Sequence, residues 1–439
     1  MTTPIVDFVR RYRESGARRL HMPGHKGQAL LGPEALDITE ISGADVLYAP
    51  RGIIRESEEN AARLFGARRT VYSCEGSSLC IRAMLFLAAQ AAREQGREPV
   101  IAAGRNAHKV FVLAAGLLDL DIRWLWGSES VLRCPVTAED VEDGLRSGEV
   151  TAVYLTSPDY LGNTVDLAAI AAVCHRYGAL LLVDNAHGAY LKFLEPSRHP
   201  LDLGADLCCD SAHKTLPVLT GGAYLHLSQH APAWLADRMD AAMELFASTS
   251  PSWLILQSLD QVNALLAGDY PSRLRQTAAR LDRLKAGLPW ETLGDEPLKL
   301  CICPKGRGYT GTGLAALLEQ QQIICEFADP DYLVLMVTPE TTADDFAAVE
   351  RVLHAVPVRP LIDEAPPRLK RPETALRAHE ALFSACESLP VGQCLGRVLA
   401  APTVSCPPAV PIVVSGERID ETALALFEYY GIEHCLVIK

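Results

Sequence analysis

The residues best suited to chemistry stand in Asp206 to Pro217, DLCCDSAHKTLP. An apolar strand end breaks there into Ser211, Ala212, His213 and Lys214. Partial burial beside cationic or hydrogen-bonding groups lowers a lysine's pKa. A lysine freed of its proton is a nucleophilic amine that forms an imine with an aldehyde. Pyridoxal phosphate (PLP) enzymes use such a lysine, together with an acid near the pyridine nitrogen and a phosphate cradle. Candidates for both are present. Asp184 ends an apolar run thirty residues before Lys214. An ionised carboxylate there could keep a pyridine nitrogen protonated and make the ring an electron sink. His187 follows in the same loop. Ser77 and Ser78 open a helix, where free N–H groups and the dipole favour a phosphate, and Ser211 and His213 could complete its shell. His108 follows a strand and could lie over a planar ring. Plainer counterparts exist for each: a polar loop around Lys214, a capping or turn aspartate at 184, N-capping serines, an exposed loop histidine.

The elements that position these residues alternate. Thr3-Pro4 starts a helix with apolar Ile5, Phe8, Val9 and Tyr12 on one face. A Gly/Pro-punctuated loop, HMPGHKG (His21–Gly27), follows, and then a second helical pattern, Glu56 to Phe65. From Arg69, short apolar strands alternate with helices: TVYSC, PVIAAG, TAVYLTSP, ALLLVD, ADLCCD and GGAYLHL are the strand runs. This predicts a mostly parallel α/β sheet covered on both faces. In such sheets ligands sit beyond the carboxyl ends of the strands, where Ser77, Ser78, His108, Asp159, Asp184, His187, Ser211, His213 and Lys214 all fall. A helical region from about Ala231 to Leu288 leads to renewed alternation after Trp290 (PLKLCICP, YLVLMVTP). The expected domains are 1–290, a cofactor-binding major domain with an N-terminal segment, and 291–439, a smaller C-terminal α/β part with a Pro-rich connector near 356–372.

Composition narrows the function. The chain has 439 residues, 49% hydrophobic, with a formal charge of −13 and no dense Lys/Arg block. That argues for a globular chain and against nucleic acid or an anionic membrane as partner. No apolar run approaches the ~20 residues that span a bilayer, and the N-terminus lacks the order of a signal peptide. Thirteen scattered cysteines without a CxxC pair read as buried thiols of a cytoplasmic protein, with no metal site.

In this order, HMPGHKG, RNAHK, TSPDYLG, DNAHGAY, SAHKTLP, FASTSPSWLILQSLD and PPAVPIVVSGERI resemble the Orn/Lys/Arg decarboxylase family, from His21 to about Ile419. The resemblance is to its short members, without the N-terminal response-regulator-like domain of the long ones. It implies the aspartate-aminotransferase fold (fold type I) and PLP as cofactor. It also implies decarboxylation of arginine, lysine or ornithine, in a homodimer or larger assembly that shares its active site. Lys214 would be the imine lysine, Asp184 the partner of the pyridine nitrogen, and His108 the ring-stacking residue. Ala186 would lie beneath the ring, His187 near the imine, and Ser77, Ser78, Ser211 and His213 around the phosphate. Another PLP reaction on this fold (transamination or a lyase step) or a catalytically silent relative are the rivals. Three departures stand out: Glu75 where the family has Asn, Val110 where it has Ser or Thr, and Ser405–Ala409 where it has Pro-Tyr-Pro-Pro-Gly. Glu75 would repel the phosphate unless it points away or is paired, and separately it could help to bind a substrate cation. Glu326 and Asp329, in ICEFADPDY, are further candidates for that cation, because carboxylates are what a guanidinium or ammonium group seeks.

Overall fold

The computed structural model describes residues 1–402 and 410–439. In chain order its strands are β1 (Arg69–Ser73), β2 (Val100–Gly104), β3 (Asp121–Leu125), β4 (Ala152–Thr156), β5 (Leu180–Asp184), β6 (Leu207–Asp210), β7 (Ala223–Leu227), β8 (Glu291–Leu293), β9 (Lys299–Cys303), β10 (Phe327–Ala328), β11 (Leu333–Met336), β12 (Cys386–Pro390) and β13 (His434–Ile438). They belong to two compact units, each discontinuous in sequence: Met1–Glu98 with Cys174–Ser272, and Pro99–Val173 with Arg273–Lys439.

In the first unit the strand order is β1-β7-β6-β5. β5 and β6 are parallel, with Asp184 opposite Cys209. β7 is antiparallel to both β6 and β1. It follows that β1, β5 and β6 all finish at one edge. LLLVD and LCCD are buried along almost their whole length, as expected of strands covered on both faces, and each run stops where polar residues begin. The helix Gly76–Glu94 leaves β1 at that edge through Gly76, at φ +69°. A four-residue helix, Ala212–Thr215, leaves β6 there and carries Lys214. The N-terminal helix Pro4–Glu14 buries Ile5 and Val9. Its otherwise unpaired N–H groups at Ile5 and Val6 both donate to Asp260 Oδ2, at 3.0 Å each.

In the second unit β4, β2 and β3 form a parallel set in that order, and His108 caps the helix Lys109–Leu117. The renewed alternation after Trp290 is an antiparallel sheet, β10-β11-β9-β8. Its core contains Leu300, Ile302, Leu314, Leu333 and Phe346. β12 and β13 pair antiparallel near the C-terminus. Several elements were not picked out from sequence: β3, β8, β12, and the helices Ala138–Leu145, Ala343–Ala355, Ala378–Phe383 and Glu421–Tyr429. The Pro-rich connector is without helix or strand from 356 to 373. No helix among the described residues is long and apolar enough to cross a membrane. All twelve cysteines among those residues are free thiols.

Candidate active site

The sheet edge of the first unit gathers most of the expected residues. Lys214 is half-buried, and its Nζ lies 3.2 Å from Nε2 of buried His187. Asp184, also buried, accepts at Oδ1 from the Ala186 N–H (3.2 Å) and from the Cys209 thiol (3.7 Å). Burial pushes the Cys209 thiol well up, and the Asp184 charge adds to that, so the group stays a donor. These bonds fix the carboxylate at the end of β5.

Ser211 Oγ donates to Ser77 Oγ at 2.8 Å, which joins the turn after β6 to the first turn of the helix Gly76–Glu94. His213 Nδ1 lies 3.0 Å from the Gly222 carbonyl, so Nδ1 is the protonated nitrogen of the neutral ring. Burial lowers the pKa of His213, the Gly222 bond offsets part of that, and the Lys214 charge lowers it again. Ser78 lies half-buried in the same first turn. Glu75, just before this helix, is exposed and accepts at Oε1 from the Ser248 N–H at 2.7 Å.

The remaining candidates belong to the second unit. The exposed ring of His108 accepts at Nδ1 from the Val110 N–H, 3.3 Å away. Valine supplies that N–H as well as serine or threonine would. Glu326 is exposed, and Tyr160 donates its hydroxyl to it at 2.8 Å. Asp329 is buried and occupied: its Oδ1 accepts from the N–H groups of Asp331 and Tyr332, at 2.7 and 2.6 Å. Burial nevertheless pushes its carboxyl up to about 6. This carboxylate builds a turn. The departure at Ser405–Ala409 lies outside the described residues.

The sequence profile of the Orn/Lys/Arg decarboxylase major domain matches residues 3–281, and that of the C-terminal domain of the same proteins matches 362–434. The chain belongs to the Orn/Lys/Arg decarboxylase family. It is 29% identical to an uncharacterized Bacillus subtilis protein, YaaO, over 97% of this chain and 93% of that one. It is 26% identical to the arginine decarboxylase of Bacillus subtilis, over 95% and 91%. The Francisella novicida lysine decarboxylase LdcF superposes with a TM-score of 0.81, covering 100% of this chain and 81% of that one, at 16% identity. The fold is therefore that of the PLP-dependent fold type I enzymes, and this family member is a carboxy-lyase.

The residues of the decarboxylase fit a PLP phosphate. Gly76 leaves room at the start of its helix, where an added Cβ would project to within 4.0 Å of His213 Cε1. Around that space stand the Ser77 and Ser211 hydroxyls and the first turn of the helix, a setting suited to an anion, although the Gly76 N–H itself donates to the Gly221 carbonyl at 2.7 Å. The acid, Asp184, sits apart from it on β5.

Sequence reasoning missed a fully buried network directly behind this edge. Asp210, the last residue of β6, accepts from Asn185 Nδ2 at 2.6 Å and from His199 Nε2 at 3.0 Å. His226 Nε2 lies 3.3 Å from the same oxygen as His199. Burial alone would raise the Asp210 carboxyl; the two imidazoles outweigh it and hold it well below the usual carboxylate range. His199, Asp210 and Cys208 also place metal-type donor atoms within 4.8 Å of one another. Here, however, hydrogen bonds satisfy the carboxylate and burial keeps Cys208 a thiol.

Proposed function

We propose that this chain decarboxylates a basic amino acid (arginine, lysine or ornithine) to the corresponding amine and CO2, with PLP as its cofactor. The observation that carries the reading is the convergence at one sheet edge of Lys214 against His187, Asp184 at the end of β5, and the Ser77–Ser211–His213 cluster. When bound, PLP supplies an aldehyde for the substrate amine and a ring that accepts the electron pair left as CO2 departs. Lys214 would hold the cofactor and, once displaced by substrate, remain beside the reacting carbon as an amine. His187 would orient Lys214 and hold a proton close to it. Asp184 would keep the pyridine nitrogen protonated. Ser77, Ser78, Ser211 and His213 would bind the phosphate, Ala186 would pack beneath the ring and His108 would stack on it. The assembly would be a homodimer or a larger homo-oligomer. Exposed Leu20, Met22, Leu30 and Leu31 in the N-terminal arm are the kind of surface a partner copy covers.

Arginine is the first candidate substrate, since the Bacillus subtilis relative matched along most of its length is named for it. Glu326 is the proposed acid for the substrate's distal cation. Glu75 and Asp329 spend a carboxylate oxygen on backbone N–H groups, whereas Glu326 accepts from a side chain, the Tyr160 hydroxyl. The test is a screen of arginine, lysine and ornithine that measures CO2, amine and keto acid, with the oligomer sized by light scattering in the same preparation. One amine with stoichiometric CO2 supports the reading; a keto acid, or no product with PLP bound, sinks it. In the same screen Glu326→Gln should weaken use of the best substrate by ~10-fold or more, from loss of a charge-assisted contact of ~1.5–3 kcal/mol, with PLP content unchanged. Wild-type kinetics in that variant would move the cation site elsewhere.

Asp184→Asn should retain PLP and lose ~10²-fold or more in kcat, the scale of losing one positioned electrostatic group. An amide cannot hold the pyridinium proton as a carboxylate does. A near-wild-type rate with full PLP occupancy would remove Asp184 from the mechanism.

A further inference from the structure

Asn185 and Gly188 lie in the DNAHGAY motif, yet none of the roles above uses them. Asn185 is fully buried, as are Asp210, His199 and His226. Its N–H donates to the Cys209 carbonyl at 3.0 Å, one step beyond the last β5–β6 pair, Asp184–Cys209. Its side-chain Nδ2 donates to Asp210 at 2.6 Å, while its Oδ1 has no hydrogen-bond partner among the described residues. An orphaned buried carbonyl is unfavourable, so what favours an amide here is its other end. That end ties the residue after Asp184 to the residue before Ser211. Asp210 is in turn immobilised. The Leu201 N–H donates to His199 Nδ1, which sets the tautomer that donates from Nε2 to Asp210. His226 Nδ1 is paired with the Thr70 hydroxyl at 2.8 Å.

We propose that Asn185 and Asp210 form a positioning clamp that fixes the spacing between two loops. One holds Asp184, Ala186 and His187; the other holds Ser211, His213 and Lys214. The clamp rests on the functional reading above and adds to it the residues that align its two halves. It also assigns a purpose to Gly188. A Cβ there would lie 1.9 Å from Asn185 Oδ1, and 2.7 Å from both Asn185 Cγ and Leu191 Cδ1. The Gly188 backbone, at φ −121°, imposes no need for glycine, so space for the Asn185 amide, and for Leu191 beside it, is what excludes a side chain.

Asn185→Ala removes the tie and Gly188→Ala pushes the amide off Asp210, so two routes break one contact. A displacement of the order of 1 Å costs up to ~10²-fold in rate. Each variant should therefore lower kcat by ~10–100-fold with KM little changed. Each should also bind PLP about 10-fold more weakly and alter the visible absorption that borohydride abolishes. Because both break the same contact, the double variant should be no worse than the poorer single one. PLP affinity and absorption are read without substrate. A wild-type protein that binds PLP but releases no CO2 would therefore sink the functional reading and leave the clamp testable. Wild-type PLP affinity and absorption in Asn185→Ala would overturn the clamp. So would additive losses in the double variant, or a lowered melting temperature of the cofactor-free protein with PLP affinity unchanged.

Discussion

Lys214→Ala should abolish CO2 release and, in the same sample, the visible absorption band that borohydride removes. The expectation rests on placement. Lys214 lies half-buried on a short helix at the edge where β5 and β6 end, with its Nζ on His187 at 3.2 Å. Another lysine of this unit, Lys192, is committed elsewhere, 2.6 and 2.8 Å from the two carboxylate oxygens of Asp202. Alanine is a strong helix former, and the side chain removed ends in a polar group, so melting of the cofactor-free protein should change little. Turnover should fall below detection, since a missing nucleophile is not replaced by a neighbour. The measurement is single-turnover CO2 release at saturating PLP, alongside the absorption spectrum and a melting curve. Activity near that of the wild type would show that another amine carries the chemistry. A collapsed melting curve would instead make Lys214 a structural residue.

How far the sequence led differs from residue to residue. LLLVD running into NAHG and LCCD running into SAHK were legible because parallel strands buried on both faces are apolar until they stop. Residues placed just after such runs lie on one rim, and Asp184, His187, Ser211, His213 and Lys214 are there. The Pro4 helix start was likewise written in a local signal. Glu75 was not legible: its partner, Ser248, is 173 residues away. Nor was the Asp210 network, since His226 inside AYLHL meets Thr70 and Cys208 only through strand register. Asp329 did carry a readable signal. Asp-Pro opens a turn, and in the structure the Asp329 carboxylate is what closes it. The helix Ala343–Ala355 could also have been found, because Thr342 and Asp345 form a capping box at its start.

The second large effect is expected at Glu417, in the motif SGERI. Arg105, in RNAHK, is fully buried and donates from both terminal nitrogens to Glu417, 2.7 Å to each oxygen. The Trp124 and Trp126 rings lie 4.9 and 4.5 Å from its guanidinium carbon. A planar, weakly hydrated cation suits both contacts in a way that lysine does not. The Val414 N–H also donates to Glu417, so the pair holds the C-terminal segment against the turn that leads from β2 to His108. Removing one partner leaves a buried charge uncompensated, which costs ~3–5 kcal/mol. Glu417→Gln should therefore lower the melting temperature of the protein strongly, and Arg105→Lys should lower it too, since an ammonium cannot reproduce the two-point contact. A double substitution to leucine at both positions should be less destabilising than Glu417→Gln, because neither charge is then left alone in the core. That ordering separates a charge effect from simple loss of packing, which would make the double substitution the worst of the three. His108 stands three residues beyond Arg105, in a turn whose Ala107 N–H donates to Gly104. If Glu417→Gln melts like the wild type, the pair contributes nothing to the fold, and the C-terminal segment is held by its apolar contacts alone.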